Sequence, residues 1–408
     1  MPDDITILRD LAQRYLEICH DPIQETRRDL WRRHNSLQPT PPPIYVRAFA
    51  WCEMPQSHCL CQDPFYRHYE DRFRQALFHS TLGDDFIFEP WVTVDAAWIT
   101  PDGGLWGVPV VWQGREYGRA GVWEAPLKEP EDIRRLVKPH HAIDEEETAR
   151  RAAKLYDAIG DLLPICVDRA PIYRMWNADI STRLAELRGL EQLMWDMMDR
   201  PAWLHELLTF MRDGILQVHQ EAEEAGDWTL CAHQNQAMPY ALELPDPAAD
   251  GLPVTRNELW GYCASQETTA VGPALFDEFM LRYQIPIMEP FGLIAYGCCE
   301  DLTPKIALLR QIPNLRRIAV APAADVARCA EQIGDEYVLS YRPSPADMVA
   351  YGLNAERIRE ILRRDLEACR GCYVDITLKD VETVQGDPQR IRKWVEITRQ
   401  VIGELGMG

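Results

Sequence analysis

The sequence has few basic residues for its length and lacks any long apolar run. It carries 43 Lys and Arg against 64 Asp and Glu, a formal net charge of −21. This charge repels polyanions, so we expect no nucleic acid partner. No apolar run approaches the about 20 residues that span a membrane, and the first ten residues lack the apolar core of a signal peptide. We therefore expect a cytoplasmic protein without a membrane partner.

Several motifs are also lacking, and each absence narrows the choice of fold. The 12 cysteines are scattered along the 408 residues and do not form a small disulfide framework, so we expect reduced thiols. No internal repeat occurs. No glycine-rich phosphate fingerprint follows any predicted strand, which weakens the alternative of a doubly wound open sheet that binds a dinucleotide.

The order of predicted elements indicates an α/β protein. Strand-like segments alternate with amphipathic helices, and each strand is followed by a helix. The predicted helices include one that Ser181 caps and that runs to Asp199, one that begins at Pro201 with an apolar stripe including Leu204, Leu208 and Met211, and one that Asn354 caps. The predicted strands are 44–51, 91–98, 163–168, 228–233, 257–264, 291–298, 315–321, 336–341 and 372–378. About eight such units are typical of a (β/α)8 TIM barrel. We predict an N-terminal helical extension with a Pro-rich connector at 1–43, a barrel at 44–408, and an inserted β-hairpin region at 52–145.

Two thiols and a carboxylate, Cys298, Cys299 and Glu300, lie where a strand ends and a helix begins. This end of a parallel strand is where such folds bind ligands. Because strand side chains alternate, we expect Tyr296, Cys298 and Glu300 to share one face and Cys299 to pack outward. Sulfur ligands beside a carboxylate suit Zn²⁺, although a free Cys pair is also common as plain core packing.

Polar side chains follow the other predicted strands at the same end. They are Asp168, His233, Gln266, Glu267, Arg342, Lys379 and Asp380. Each one alone is also explained as a solvated loop residue or a helix cap. Together they predict a polar rim around the barrel mouth, in which His233 serves as a metal ligand or an acid/base. Lys379 and Asp380 are either an internal ion pair or a proton relay.

Residues 150–405 resemble the uroporphyrinogen decarboxylase superfamily. The resemblance depends on Arg-Gly-Leu-Glu-Gln-Leu at 188–193, Asp-Arg-Pro at 199–201, Phe-Gly at 291–292, the segment 296–304 and Asp-Pro at 387–388. It implies a (β/α)8 barrel that can pair with a second copy. It also implies either porphyrinogen decarboxylation or methyl transfer that depends on a corrinoid carried by a partner protein.

The resemblance further implies a zinc site, from which the sequence departs. Related methyltransferases hold Zn²⁺ with a His-x-Cys pair and a later Cys. Here Tyr296 stands at the His position, and no later Cys follows a strand. We therefore expect Zn²⁺ on Cys298, Glu300 and His233, with Glu267 as an alternative to His233.

We rank methyl transfer between a small thiol, amine or methyl ether and the corrinoid first. The expected catalytic residues are Glu267, Lys379 and Asp380. The expected substrate-binding residues are Gln266, Tyr296, Arg342 and Asp168.

Two other functions stay open on the sequence alone. The first is a cofactor-independent decarboxylase or lyase, and the second is a non-catalytic corrinoid-binding partner. The decarboxylase alternative is weakened because no arginine-rich motif for substrate carboxylates is evident near Arg47. The sequence carries no Asp-x-His-x-x-Gly motif for binding a corrinoid, so the partner would supply it.

Overall fold

A computed structural model describes residues 3–114 and 121–407, and its architecture is α/β. Its strands are β1 (Ile44–Val46), β2 (Val92–Asp95), β3 (Val111–Gln113), β4 (Val122–Glu124), β5 (Ile165–Asp168), β6 (Trp260–Cys263), β7 (Leu293–Tyr296), β8 (Leu315–Val320), β9 (Val338–Tyr341) and β10 (Tyr373–Leu378). Its α-helices are α1 (Asp4–Cys19), α2 (Ile23–Asn35), α3 (Pro64–His79), α4 (Glu145–Ile159), α5 (Ser181–Arg188), α6 (Leu190–Asp199), α7 (Pro201–Ala225), α8 (Pro273–Phe276), α9 (Arg282–Met288), α10 (Ile306–Leu309), α11 (Val326–Ile333), α12 (Ala355–Ala368) and α13 (Gln389–Glu404).

The central sheet is parallel and has six strands in the order β1-β10-β9-β8-β7-β6. A separate parallel pair joins β2 to β5, and β3 and β4 form an antiparallel hairpin. The parallel strands and the alternation with helices confirm the predicted α/β class. The predicted closed eight-stranded barrel is not formed by the residues described, because the six-stranded sheet and the β2–β5 pair are not joined.

The β2–β5 pair is also unpaired with β1, and the gap between β5 and β6 lies where a strand was predicted at 228–233. This segment forms no regular strand and makes a single antiparallel bridge, from Thr229 to Pro253. Just beyond it, the Gln234 backbone N–H donates to the Trp260 carbonyl of β6 at 2.9 Å. The chain therefore touches the sheet edge at β6 without extending the ladder.

Helix ends follow local capping chemistry. Asn354 caps α12 as predicted, since its Oδ1 accepts from the Arg357 N–H at 3.1 Å. The single helix predicted from Ser181 to Asp199 is two helices, because Gly189 adopts a φ of +83° between α5 and α6. The region 52–145 contains the expected hairpin and also the helix α3, which its turn-rich sequence did not reveal.

The helix α2 packs against the end of the sheet opposite the carboxyl ends of the strands. There Arg317 of β8 donates to Asn35 at 2.7 Å and to Asp375 of β10 at 2.7 Å. Asp375 also accepts from Ser340 of β9 at 2.9 Å and lies 3.5 Å from His34 Nε2. All five side chains are buried, so this network fixes α2 to three strands.

The large hydrophobic core lies between the sheet and the surrounding helices. The apolar stripe predicted on α7 is buried there, including Leu204, Leu208 and Met211. In the described part of the chain, no helix is both long enough and apolar enough to cross a membrane. The division into a 1–43 extension and a 44–408 barrel stays a prediction.

Candidate active site at the strand ends

The carboxyl ends of the central strands meet at one edge of the sheet, here called the mouth. Arg47 follows β1, Cys298 follows β7, Arg342 follows β9 and Lys379 follows β10. Since ligands bind at this edge in parallel α/β folds, these side chains form the candidate site.

The centre of the site is a contact between two thiols and one ammonium group. Lys379 Nζ lies 3.2 Å from Cys298 Sγ and 3.0 Å from Cys299 Sγ, and the two sulfurs are 3.6 Å apart. Asp380 Oδ2 lies 3.0 Å from the same Nζ. Cys298 and Lys379 are buried, at 5% and 3% exposure, whereas Cys299 and Asp380 face solvent. The ammonium therefore connects a buried thiol to an exposed carboxylate.

Both thiols reach Lys379 because the strand ends at Tyr296. Gly297 adopts a φ of +97°, so the alternation of side chains does not continue through Cys298 and Cys299. A Cβ at Gly297 would lie 2.6 Å from Leu302 Cδ1, so the turn needs glycine for space as well. Cys299 was expected to pack outward, away from the face of Cys298. It contacts Lys379 together with Cys298 instead, so this prediction is wrong.

Two buried charged side chains hold this turn in place. The Glu300 carboxylate accepts the Cys298 N–H at 2.7 Å and the Ser265 N–H at 2.8 Å. Arg342 Nη1 donates to the Cys298 carbonyl at 2.7 Å. The thiol of Cys298 is thus carried by a backbone segment that is bonded on both sides, which preorganises its position.

Electrostatics favour a thiolate at Cys298. The hydrogen bond with Cys299 and the charges of Lys379 and Arg342 lower the pKa of Cys298 to about 4, although burial opposes this shift. The same hydrogen bond raises the pKa of Cys299, which stays a thiol. Burial and Arg342 lower the pKa of Lys379, but the Cys298 thiolate, Cys299 and Asp380 outweigh them and the net shift is upward. The contact and the charges therefore favour a thiolate–ammonium ion pair.

A second chain of contacts runs from Arg47 to the turn that carries Cys298. Arg47 donates to the Gln236 side-chain carbonyl, and Gln236 donates to the Tyr262 hydroxyl. The Tyr262 hydroxyl lies 3.5 Å from the Gly297 carbonyl oxygen, and Gln236 contributes to lowering the pKa of Cys298. The Arg47 guanidinium lies over the ring of Trp176, 5.3 Å from its centroid. These four side chains form one wall of the mouth.

Of the residues expected from the sequence, the structure brings together Cys298, Lys379, Asp380 and Arg342, with Glu300 directly beneath them. Tyr296 instead points toward the helices, where its hydroxyl donates to Gln284 at 2.7 Å. Its 1% exposure leaves it in the core.

The other expected residues have separate partners. Glu267 accepts hydrogen bonds from Ser181, Thr182 and the neighbouring Gln266. Asp168 forms a two-point ion pair with Arg174.

His233 also makes no contact with the thiols. Its Nδ1 accepts the Trp260 N–H at 3.2 Å, and burial lowers its pKa to about 4.

The expected zinc ligands do not assemble into a metal site. Within residues 3–114 and 121–407, no group of three or more His, Cys, Asp or Glu side chains is placed to hold a metal ion. Both Glu300 oxygens accept backbone N–H groups, and Lys379 occupies the position beside the two sulfurs. The donor set therefore does not fit a three-ligand zinc site, and no catalytic step below depends on zinc.

Sequence reasoning missed Arg47, Gln236 and Tyr262. Arg47 comes one residue after β1, so the rule that strand ends carry the site identifies it. Gln236 follows a segment that is not a regular strand, and Tyr262 lies within β6. Only the folded structure brings these two side chains next to Cys298.

Comparison with known proteins adds information about the fold. No protein-family model matches the sequence, and no curated protein matches it. The fold is similar to a solved methyltransferase from Methanosarcina mazei, with a TM-score of 0.53 and 12% sequence identity. The alignment covers 92% of this chain and 98% of that chain. The chain thus shares its fold with that protein.

Proposed function

We propose that the protein is a methyltransferase that moves a methyl group between a small substrate and a corrinoid on a partner protein. The observation that carries the proposal is the Cys298–Lys379 ion pair, held at the strand ends of a methyltransferase-like fold. The resemblance to the uroporphyrinogen decarboxylase superfamily supports the same activity. The corrinoid, when bound, supplies the carrier for the methyl group.

Lys379 is the proposed general acid. Removal of a methyl group from an ether, or from an amine bound in its neutral form, leaves the bond's electron pair on the oxygen or nitrogen, which then needs a proton. Lys379 Nζ delivers that proton as the C–N or C–O bond breaks. The Cys298 thiolate, 3.2 Å away, favours the charged form of Lys379 between turnovers.

The surrounding residues support this proton transfer. Asp380 lies between Lys379 and solvent, so it can pass a proton back to Nζ after each turnover. Arg342 and Glu300 fix the backbone that carries Cys298, and burial of the ion pair excludes bulk water. In this scheme Glu267 and His233 take no part in the chemistry.

The test uses donors that differ in whether the leaving atom needs a proton. Free cob(I)alamin serves as acceptor, and a methylamine, an aryl methyl ether and a methylsulfonium compound serve as donors. Methylcobalamin formation is followed by absorbance, with trideuterated methyl groups traced by mass spectrometry. We expect Lys379→Met to lower the rate with the aryl methyl ether by about 10²–10⁴-fold.

The sulfonium donor is the internal control, because its leaving thioether needs no proton. We expect the variant to retain most of its rate with this donor. Equal losses with all donors would contradict the general-acid role. The absence of transfer from every donor by the wild-type protein would contradict methyl transfer itself.

A carboxy-lyase is the second candidate, favoured by the cations Arg47, Arg342 and Lys379 at the mouth. Such a group of cations suits a carboxylate substrate, which an Arg fork binds through two hydrogen bonds. Release of CO2 from a porphyrinogen without any corrinoid would favour this alternative over methyl transfer.

A further inference from the structure

Two thiols that the proposed methyl transfer does not use meet at the gap between β5 and the segment 228–233. Cys166 lies within β5, and Cys231 lies in that segment. Their Sγ atoms are 2.8 Å apart, although the two residues are 65 positions apart in the chain. The sulfurs of Cys298 and Cys299, which are neighbours in sequence, are 3.6 Å apart. The fold therefore brings Cys166 and Cys231 into closer contact than the two thiols of the mouth.

The backbone fixes both members of this pair. Cys166 is paired in register with Thr93 of β2. In the segment that carries Cys231, Thr229 forms its bridge to Pro253. Cys231 Sγ also lies 3.0 Å from the Ala248 carbonyl oxygen. The contact between the two sulfurs is therefore built into the fold on both sides of the gap.

The two thiols differ in exposure and in how readily they lose a proton. Cys166 is buried, at 2% exposure, whereas Cys231 is partly exposed. The hydrogen bond with Cys231 lowers the pKa of Cys166, although burial opposes this shift. The same hydrogen bond and burial raise the pKa of Cys231. Cys166 is thus the better source of a thiolate, and Cys231 lies on the side from which a small oxidant can approach.

We propose that Cys166 and Cys231 form an internal disulfide when the protein meets a hydroperoxide. The Cys166 thiolate attacks one oxygen of hydrogen peroxide, so that a sulfur–oxygen bond forms, the oxygen–oxygen bond breaks and hydroxide leaves. The Cys231 sulfur then attacks the Cys166 sulfenic acid, and the oxygen leaves as water with the Cys231 proton. In total the two thiols lose two electrons and two protons, and the peroxide is reduced to two water molecules.

The disulfide would join β5 covalently to the segment 228–233, across the gap between β5 and β6. A cross-link between positions that are 65 apart restricts the unfolded chain and so stabilises the folded one. We therefore expect the oxidised protein to unfold at a temperature about 3 °C or more above that of the reduced protein. This modification does not depend on the proposed methyl transfer.

The experiment treats the reduced full-length protein with a small excess of hydrogen peroxide and then blocks free thiols with N-ethylmaleimide. Peptide mass spectrometry without reduction identifies the Cys166–Cys231 cross-link. The intact mass distinguishes an internal disulfide from a link between two chains. Cys369 and Cys372 are the control pair, since they are close in sequence but burial raises the pKa of both thiols.

We expect the Cys166–Cys231 disulfide to form at least about tenfold faster than a disulfide between Cys369 and Cys372. This comparison is made within the wild-type protein, so it does not depend on whether a variant folds. Equal rates at the two pairs, or no cross-link between Cys166 and Cys231, would overturn the proposal.

Variants test the two steps separately. Cys231→Ser blocks the second step, so Cys166 should accumulate as a sulfenic acid that dimedone traps. The peroxide treatment should then no longer raise the unfolding temperature. Cys52→Ser removes an exposed thiol elsewhere and should leave the cross-link unchanged. A dimedone adduct on Cys231 in Cys166→Ser, with none on Cys166 in Cys231→Ser, would overturn the assigned roles of the two thiols.

Discussion

At the residue scale, the environment of Cys298 differs from that of the other buried thiols because two cations lie beside it. Burial raises the pKa of Cys329, a core thiol on α11, to about 11. Cys298 is also buried, but Cys299, Lys379 and Arg342 hold its pKa at about 4. The reactivity that we expect of this thiol therefore comes from its neighbours rather than from exposure.

The pH dependence of alkylation tests this environment. A lowered pKa means that Cys298 is a thiolate above about pH 4, so its reaction with iodoacetamide should stay fast from pH 8 to pH 5. Lys379→Met removes a stabilising charge and should move the inflection toward the ordinary thiol value of about 8.5. An inflection near pH 8.5 in the wild-type protein would contradict the ion pair.

Tyr296 tests the difference between packing and substrate binding. Its hydroxyl donates to Gln284 at 2.7 Å and lies 3.0 Å from Ser265 Oγ, all within the core. Tyr296→Phe should therefore lower the free energy of unfolding by about 1–2 kcal/mol, measured in urea. The rate of Cys298 alkylation should change little. A raised KM with unchanged stability would instead support the substrate-binding role expected from the sequence.

How far the site could be predicted depends on whether a residue directly follows a strand. Cys298, Arg342 and Lys379 follow strands, and the sequence pattern located them together. Gln236 could not be located, because the segment before it is not a regular strand. Cys299 was misplaced, since nothing in local periodicity reveals the left-handed turn at Gly297.

At the element scale, the turn that joins β7 to the site determines where the thiols point. Gly297 combines a φ of +97° with close contacts, since an added Cβ would lie 2.6 Å from Leu302 and 3.0 Å from Ala319. We expect Gly297→Ala to reduce stability by about 1–3 kcal/mol and to slow Cys298 alkylation. Thermal unfolding and alkylation rates measure the two effects.

Gly403 provides the matched control for this change. It lies within α13 with open space around its Cα, so Gly403→Ala should be neutral or stabilising by about 0.5–1 kcal/mol. Equal effects of the two substitutions would show that the Gly297 turn is not constrained.

The elements themselves were largely predictable because their patterns are local. The strands β5 to β10 lie within predicted segments, and the Asn354 cap marks the start of α12. The predictions failed at two places. At 228–233 a strand-like pattern does not form a regular strand, and at Gly189 a helical pattern continues but the helix is interrupted. Tertiary contacts decide such positions, and periodicity does not report them.

At the scale of the whole molecule, a buried polar network joins the N-terminal helices to the sheet. Asp375 accepts from Arg317 and Ser340, and its oxygen also faces His34. Asp375→Asn removes the charge that balances Arg317 inside the core. We expect a loss of about 3–5 kcal/mol in the free energy of unfolding, measured by denaturant titration.

Acid should weaken the same network. Arg317 and His34 lower the pKa of the Asp375 carboxyl group to about 2, below its unfolded value of 3.8, although burial alone would raise this pKa. Its contribution is thus present above about pH 4 and is lost as the pH falls toward 2.

Burial also lowers the pKa of the His34 imidazole in the folded protein. As the pH falls below 6.5, the unfolded state therefore binds this proton before the folded state does, and the free energy of unfolding decreases. Both groups predict stability that decreases steadily with acid. A flat profile from pH 6.5 to pH 3 would contradict this account.

The measurement that tests the central claim most directly is methyl transfer to free cob(I)alamin by the wild-type protein beside Cys298→Ser. A trideuterated aryl methyl ether is the donor, and labelled methylcobalamin is quantified by mass spectrometry. We predict transfer by the wild type and by Cys372→Ser, whose thiol precedes β10 at the end opposite Lys379. We predict at least about a hundredfold loss in Cys298→Ser, because the thiolate favours the charged form of Lys379 that acts as the general acid. Undiminished transfer by Cys298→Ser would contradict the claim that the Cys298–Lys379 pair is the reactive centre.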